Sequence, residues 1–271
     1  MGLTQTHAVF VSKAGNDSNT GRSYDAPKLT ITSAIAVAGD MIAGGSSAVM
    51  ISVEDAGTYQ ESITLASAMR LLAPAATLVG TLTLDGTPAA TLDRHYASGN
   101  NQNLVNKTGG AGHGFYESNV TDMRGVAGAF TGGTGLRNVS GGSVLFARVG
   151  VLFVNANGSG VNDLGSGFGH IHFWTPDLYL AGANAIGINA TNPNTDFIGY
   201  IDHILNTVPE PSNTTGIRVA NASAIVKVTA TEIRATTAYN VVSGSLHLIT
   251  SRIVGTRTGS PVFELSPSTF P

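Results

Sequence analysis

Three titratable residues, Asp177, His203 and Glu232, follow one another at steps of 26 and 29 residues, each directly ahead of an apolar residue, Leu178, Ile204 or Ile233. A carboxylate, an imidazole and a second carboxylate held side by side are the groups that acid and base work on a glycosidic bond needs. Glycosidases hold such carboxylates about 5 to 9 Å apart, depending on whether they retain or invert. These three residues are the catalytic candidates. A second cluster, His170, His172, Phe173, Trp174, Asp177 and Tyr179, contains the only Trp of the chain. Aromatic faces beside polar groups suit pyranose rings, which are apolar on their faces and hydroxylated at the rim. His170, His172, Trp174 and Tyr179 are therefore assigned to glycan binding. His170-X-His172 with Asp177 has the makings of a metal site, but two His without a clear third ligand are more often hydrogen-bonded surface residues. Glu54-Asp55 is the only adjacent acidic pair, and a turn accounts for it better than a calcium site. Neither a metal nor any other cofactor is expected.

The first column is longer than its three central members. Asp122-Met123, Arg148-Val149, Asp177-Leu178, His203-Ile204, Glu232-Ile233 and Arg252-Ile253 recur at steps of 26, 29, 26, 29 and 20 residues. A second apolar position recurs at Leu136, Val161, Ile188, Ile217, Val241 and Val262, usually with Gly just before it, at steps of 25, 27, 29, 24 and 21. Repeats of this length, with Gly and Asn at the corners and no helical periodicity, predict a solenoid of short strands in which each coil buries its inward side chains only by stacking. Outward charges in register on neighbouring strands lie about 4.8 Å apart, so alternating signs stabilise the stack. On that reading Arg148 and Arg252 flank and pair with the two acids as a charge ladder. The ladder outweighs the catalytic reading, because structural ion-pair networks commonly imitate sites.

Composition agrees. Charged residues make up 11% of the 271, Gly contributes 34 and the net charge is -3, a globular but weakly charged chain without the basic footprint that nucleic acid requires. With no Cys there is neither a disulfide frame nor a thiolate site. No apolar run is long enough to span a bilayer, so membrane insertion is not expected. Residues 1–10 lack the basic start and apolar run of a secretory signal, which points to release by lysis.

In chain order, 8–11 reads as a strand and Gly15-Asn16-Asp17-Ser18-Asn19-Thr20-Gly21 as a loop. Thr30 or Thr32 then caps a short helix whose Ile31, Ala34, Ile35 and Ala38 share one face and which ends before Gly39. Such a helix covers the open end of a stack, where strand edges and a bare core would otherwise meet water. Residues 1–45 are thus strand, loop and capping helix, 46–265 the parallel β-helix, and 266–271 a tail. Within the stack, 86–118 fits the alternation poorly and is expected to project as loops, where binding often sits.

Residues 9–21, with Ala26-Pro27-Lys28-Leu29-Thr30-Ile31 and Ala34-Ile35, resemble the N-terminal cap of pectin-lyase-like right-handed parallel β-helices. Ile51-Ser52-Val53 and Gly57-Thr58-Tyr59-Gln60-Glu61-Ser62-Ile63 look like the first coil of that superfamily, in which the Gly-X-Tyr-X-Glu turn is structural. The resemblance implies an all-β fold, a right-handed parallel β-helix (solenoid) with a short N-terminal capping helix; the hand also follows the general preference of parallel crossovers. It identifies no activity, since the superfamily spans pectinases, alginate-type lyases, bacteriophage tailspikes and non-enzymatic spikes. Asp196-Phe197-Ile198-Gly199 is a near match to the Asp-Phe-Ile-Phe-Gly of pectin methylesterases, but the motifs that supply a second acid and an Arg are missing, so Phe197 and Ile198 read as strand residues.

Most similar are bacteriophage tailspike and tail-fibre proteins. The expectation is a virion spike, a homotrimer, that contacts other virion proteins and attaches to bacterial surface polysaccharide, located on the phage tail or capsid surface. One alternative is an extracellular polysaccharide lyase or glycoside hydrolase of the same fold. The other is a decoration subunit without a ligand. The weight is against an enzyme.

Overall fold

Leu82-Thr83-Leu84 buries its first and third side chains and leaves the second half-exposed, and this alternation runs through the molecule. The computed structural model describes residues 7–66, 68–85, 94–98, 100–101, 105–108, 113–118, 121–122, 134–138, 143–154, 156–163, 169–209 and 212–265. Its strands pair in parallel with strands one coil earlier and one coil later, which makes the fold a parallel β-solenoid with one short helix. Each full coil passes three faces in the same order. The first begins with Ala8–Val11, Val49–Val53 and Met69–Leu72. The second begins with Thr58–Tyr59 and Thr77–Leu78, the third with Ile63–Leu65 and Leu82–Asp85. From Gly169–Leu180 onward single strands run through the corner between the first and second faces.

The interior is a column of aliphatic side chains contributed by every face, including Ile51, Leu65, Leu84, Leu145, Ile171, Phe197, Ile204 and Ile233. Apolar burial on this scale, at about 25 cal/mol per Å², is the main term holding the coils together. The third face is legible residue by residue: Leu136, Val161, Ile188 and Ile217 lie in register and are buried. Gly precedes three of them for a steric reason. A Cβ on Gly160, Gly187 or Gly216 would come within 2.6, 2.5 and 2.5 Å of the carbonyl oxygen of Gly187, Gly216 and Ala238 respectively. The column does not continue to Val241 and Val262 as expected. Gly216 abuts Ala238 instead, the buried aromatic that follows is Tyr239, and Val262 is exposed. The last coils are shorter, so a fixed spacing slips off the inward position.

Corners between the second and third faces use Asn where a left-handed residue is needed. Asn157, Asn184 and Asn213 have φ of 57°, 57° and 52°, and Asn184 Nδ2 donates to Asn157 Oδ1 at 2.9 Å. Asn tolerates this region better than other residues with a Cβ.

The helix Ile31–Ala43 covers the first end of the stack and buries Ile31, Ala34, Ala38 and Met41. It runs past Gly39, contrary to expectation. Met41 extends the buried face by one more turn, and that burial outweighs the roughly 1 kcal/mol that Gly costs a helix interior; Gly44 supplies the C-cap. Thr30 caps the other terminus, accepting from the Ser33 amide. Glu61 arrives from the first full coil and accepts from the amides of Ile31 and Thr32 and from the Thr32 hydroxyl. The Gly-X-Tyr-X-Glu turn is therefore structural in this chain. Tyr59 is fully buried and its hydroxyl donates to Asp55. Of the stretch expected to project as loops, 94–98, 100–101, 105–108 and 113–118 are strands; Arg94–Ser98 pairs with Met69–Leu72 and with His113–Ser118 inside the stack. The rest of that stretch and the tail 266–271 lie outside the described residues.

Candidate functional site

Asp177, His203 and Glu232 stand in one column of the second face, each the register partner of the next. Leu178, Ile204 and Ile233 point inward and are buried, which turns their predecessors outward. Asp177 Oδ1 lies 3.0 Å from His203 Nδ1, and Glu232 Oε1 lies 3.3 Å from an Arg252 guanidinium nitrogen. That ion pair lacks hydrogen-bond alignment, so the buried Glu232 Oε1 has no hydrogen-bond donor. Two coil steps put the acids about 9.6 Å apart along the backbone, the wide end of the range for inverting glycosidases, with the imidazole between them. Arg148 is not part of this column. Val151 precedes Asp177, while Arg148 is the register partner of Trp174, because the coil holding Arg148 turns its corner three residues later than equal spacing implies.

His170, His172 and Trp174 occupy alternate positions on the outer side of the first face, between buried Ile171, Phe173 and Thr175. His170 Nδ1 pairs with Asp196 at 3.1 Å. The His172 ring meets Phe146 edge-on. Burial, reinforced by His170 and Lys227 and opposed by Asp196, lowers the His172 pKa below its ordinary value, which leaves the ring neutral at pH 7. Tyr179 is separated from these three. It lies beyond the corner on the second face, stacked on Phe153 with ring centroids 5.2 Å apart. Burial and the neighbouring Asp177 carboxylate raise its pKa. Asp177 likewise lies beyond the corner from His170 and His172, and no group of three metal-ligating side chains occurs among the described residues. In the Asp196-Phe197-Ile198-Gly199 stretch, Phe197 is a core residue and Gly199 leaves room for the Phe173 ring. It is an ordinary strand.

Trp174 belongs to a feature that the sequence reading missed. An open groove of about 670 Å³ follows the corner between the first and second faces, lined by Trp174, Tyr200, Asp202, Thr229, Thr231, Ser251 and apolar neighbours that include Ile249 and Leu265. Trp174, Tyr200 and Thr229 are consecutive register partners, so the groove runs along the solenoid axis at about 4.8 Å per coil. Trp174 is 38% and Tyr200 56% exposed, unusual for rings of this size. The corner beneath is fixed from inside: Thr175 is buried and its hydroxyl donates to the Asp177 carbonyl at 3.0 Å, and Thr250 repeats the device toward Arg252. The Arg148 guanidinium lies over the Trp174 ring, 4.7 Å from its centroid, a cation–π contact that holds the indole in place. The signal was in the chain. Tyr200 follows Trp174 by 26 residues, the step that separates His203 from Asp177.

No family model, curated protein or solved structure matches the chain. The fold defines the class, a parallel β-solenoid, and a proposal about what it does rests on the groove and the outward columns.

Proposed function

We propose that this chain is a spike or tail-fibre protein of a bacteriophage, related to the pectin-lyase-like tailspikes with their right-handed winding, that attaches to glycans of a bacterial surface. The observation that carries the reading is the pair of exposed aromatic rings, Trp174 and Tyr200, one coil apart in a groove rimmed by hydroxyls and a carboxylate. Such a surface offers apolar platforms for sugar faces and acceptors and donors for their hydroxyls. The cap motif and the apolar last coils, which suit contacts with further copies or other virion proteins, support the same reading.

The experiment is binding of the whole chain to a panel of purified bacterial polysaccharides. Trp174→Ala or Tyr200→Ala is expected to weaken binding about tenfold or more, the loss typical of a central aromatic anchor. Tyr24→Ala, which removes an equally exposed ring at the other end of the chain, is expected to leave it unchanged. Binding that ignores both groove substitutions contradicts the reading, and tight docking to virion proteins without any glycan binding would identify a decoration subunit. The hydrogen-bonded Asp177–His203 pair beside Glu232 supports a second reading, a hydrolase or lyase of this fold. Release of oligosaccharide from the bound polysaccharide, abolished by Asp177→Asn or Glu232→Gln, would establish it.

A further inference from the structure

We propose that the corner groove selects uncharged glycans and turns away polyanionic ones. The inference rests on the glycan-binding reading above and names its ligand class. Recognition of uronates, sialates or sulfated sugars calls for an Arg fork or a Lys ammonium facing the anionic group. The residues that line the groove include no Lys, Arg or His; their one ionisable acid is Asp202, and the remaining polar groups are the phenol of Tyr200 and the hydroxyls of Thr and Ser. Arg148, the nearest cation to the aromatic platform, is stacked over the Trp174 ring and has Glu117 as its register partner one coil earlier. Arg252 is engaged by Glu232. A carboxylate in an open groove repels a polyanion. To a neutral sugar the same carboxylate is useful, since its two oxygens accept hydrogen bonds from a pair of vicinal hydroxyls, and such charge-assisted bonds are stronger than neutral ones. Ring stacking along the axis with diol capture by Asp202 describes a site for an uncharged pyranoside chain.

The chain's single Trp is Trp174, so its fluorescence reports on this groove alone. The full chain is titrated with neutral oligosaccharides (dextran, galactomannan, chitin oligomers and neutral bacterial polysaccharides) and with anionic ones (polygalacturonate, alginate and polysialic acid), at low and high salt. Expected is a saturable emission change with at least one neutral glycan, insensitive to salt, and none with the anionic set. Asp202→Asn is expected to weaken neutral binding about tenfold, and Asp202→Lys to admit anionic glycans; both positions are exposed, so folding is retained. A saturable change caused by an anionic glycan in the unaltered chain overturns the selectivity while leaving glycan binding intact. No emission change with either class overturns both.

Discussion

At the scale of single residues, the N-terminal cap is held by three carboxylates, and each acts on backbone amides. Asp17 accepts from the amides of Leu29 and Thr30, Asp55 from those of Lys13 and Gly57, and Glu61 from the first turn of the helix. Burial works to raise the pKa of Asp17 and of Asp55, but the hydrogen bonds outweigh it and both are lowered. A carboxyl group with a depressed folded-state pKa stabilises the fold fully above its unfolded value, about 3.9, and loses that contribution as pH falls through the folded value. Thermal melts are therefore expected to be flat from about pH 7 to 5 and to shift downward below about pH 4, with Asp55→Asn reducing the acid sensitivity. A melting temperature independent of pH down to about 2 would contradict this assignment. Glu61→Ala is expected to cost about 1–2 kcal/mol, the loss of a helix cap, read as a lower denaturation midpoint in urea.

At the scale of strands and corners, stacking sets what each position tolerates. Gly187→Ala places a methyl group against the Gly216 carbonyl of the next coil and is expected to destabilise by about 1–3 kcal/mol, the cost of overpacking. Asn184→Gly keeps the left-handed corner and is expected to be far milder than Asn184→Val, since a β-branched residue resists positive φ. Chemical denaturation of the three variants measures both contrasts. Much of this was legible in the chain. The pairing Asp177–His203–Glu232 and the third-face column from Leu136 to Ile217 follow from spacing alone, because coils of nearly equal length keep one residue type at one place. The places where spacing misled have a common cause. Arg148, Val241 and Val262 lie where a corner comes later or a coil is shorter, and a shift of a residue or more moves a side chain to another column or face. The groove stayed hidden because a concave corner is made by residues of several coils, and no local motif marks it.

At the scale of the molecule, the two ends of the described stack differ. The first is covered by an amphipathic helix with capped termini, whereas the last coils expose Val242, Val254 and Val262, the last at 63%. The trimeric spike predicts that the purified chain has three times its monomer mass by light scattering, and that Val254→Asp or Val262→Asp lowers that mass. A monomer at all concentrations would contradict the trimer. The central claim, that a glycan lies along the corner groove, is tested most directly by hydrogen–deuterium exchange with and without a saturating surface polysaccharide. Protection is expected in strand segments around 174, 200–202, 229–231 and 249–251, the segments that line the groove, with no change in the helix Ile31–Ala43. Protection confined to other parts of the stack, or none with any polysaccharide of the panel, would contradict it.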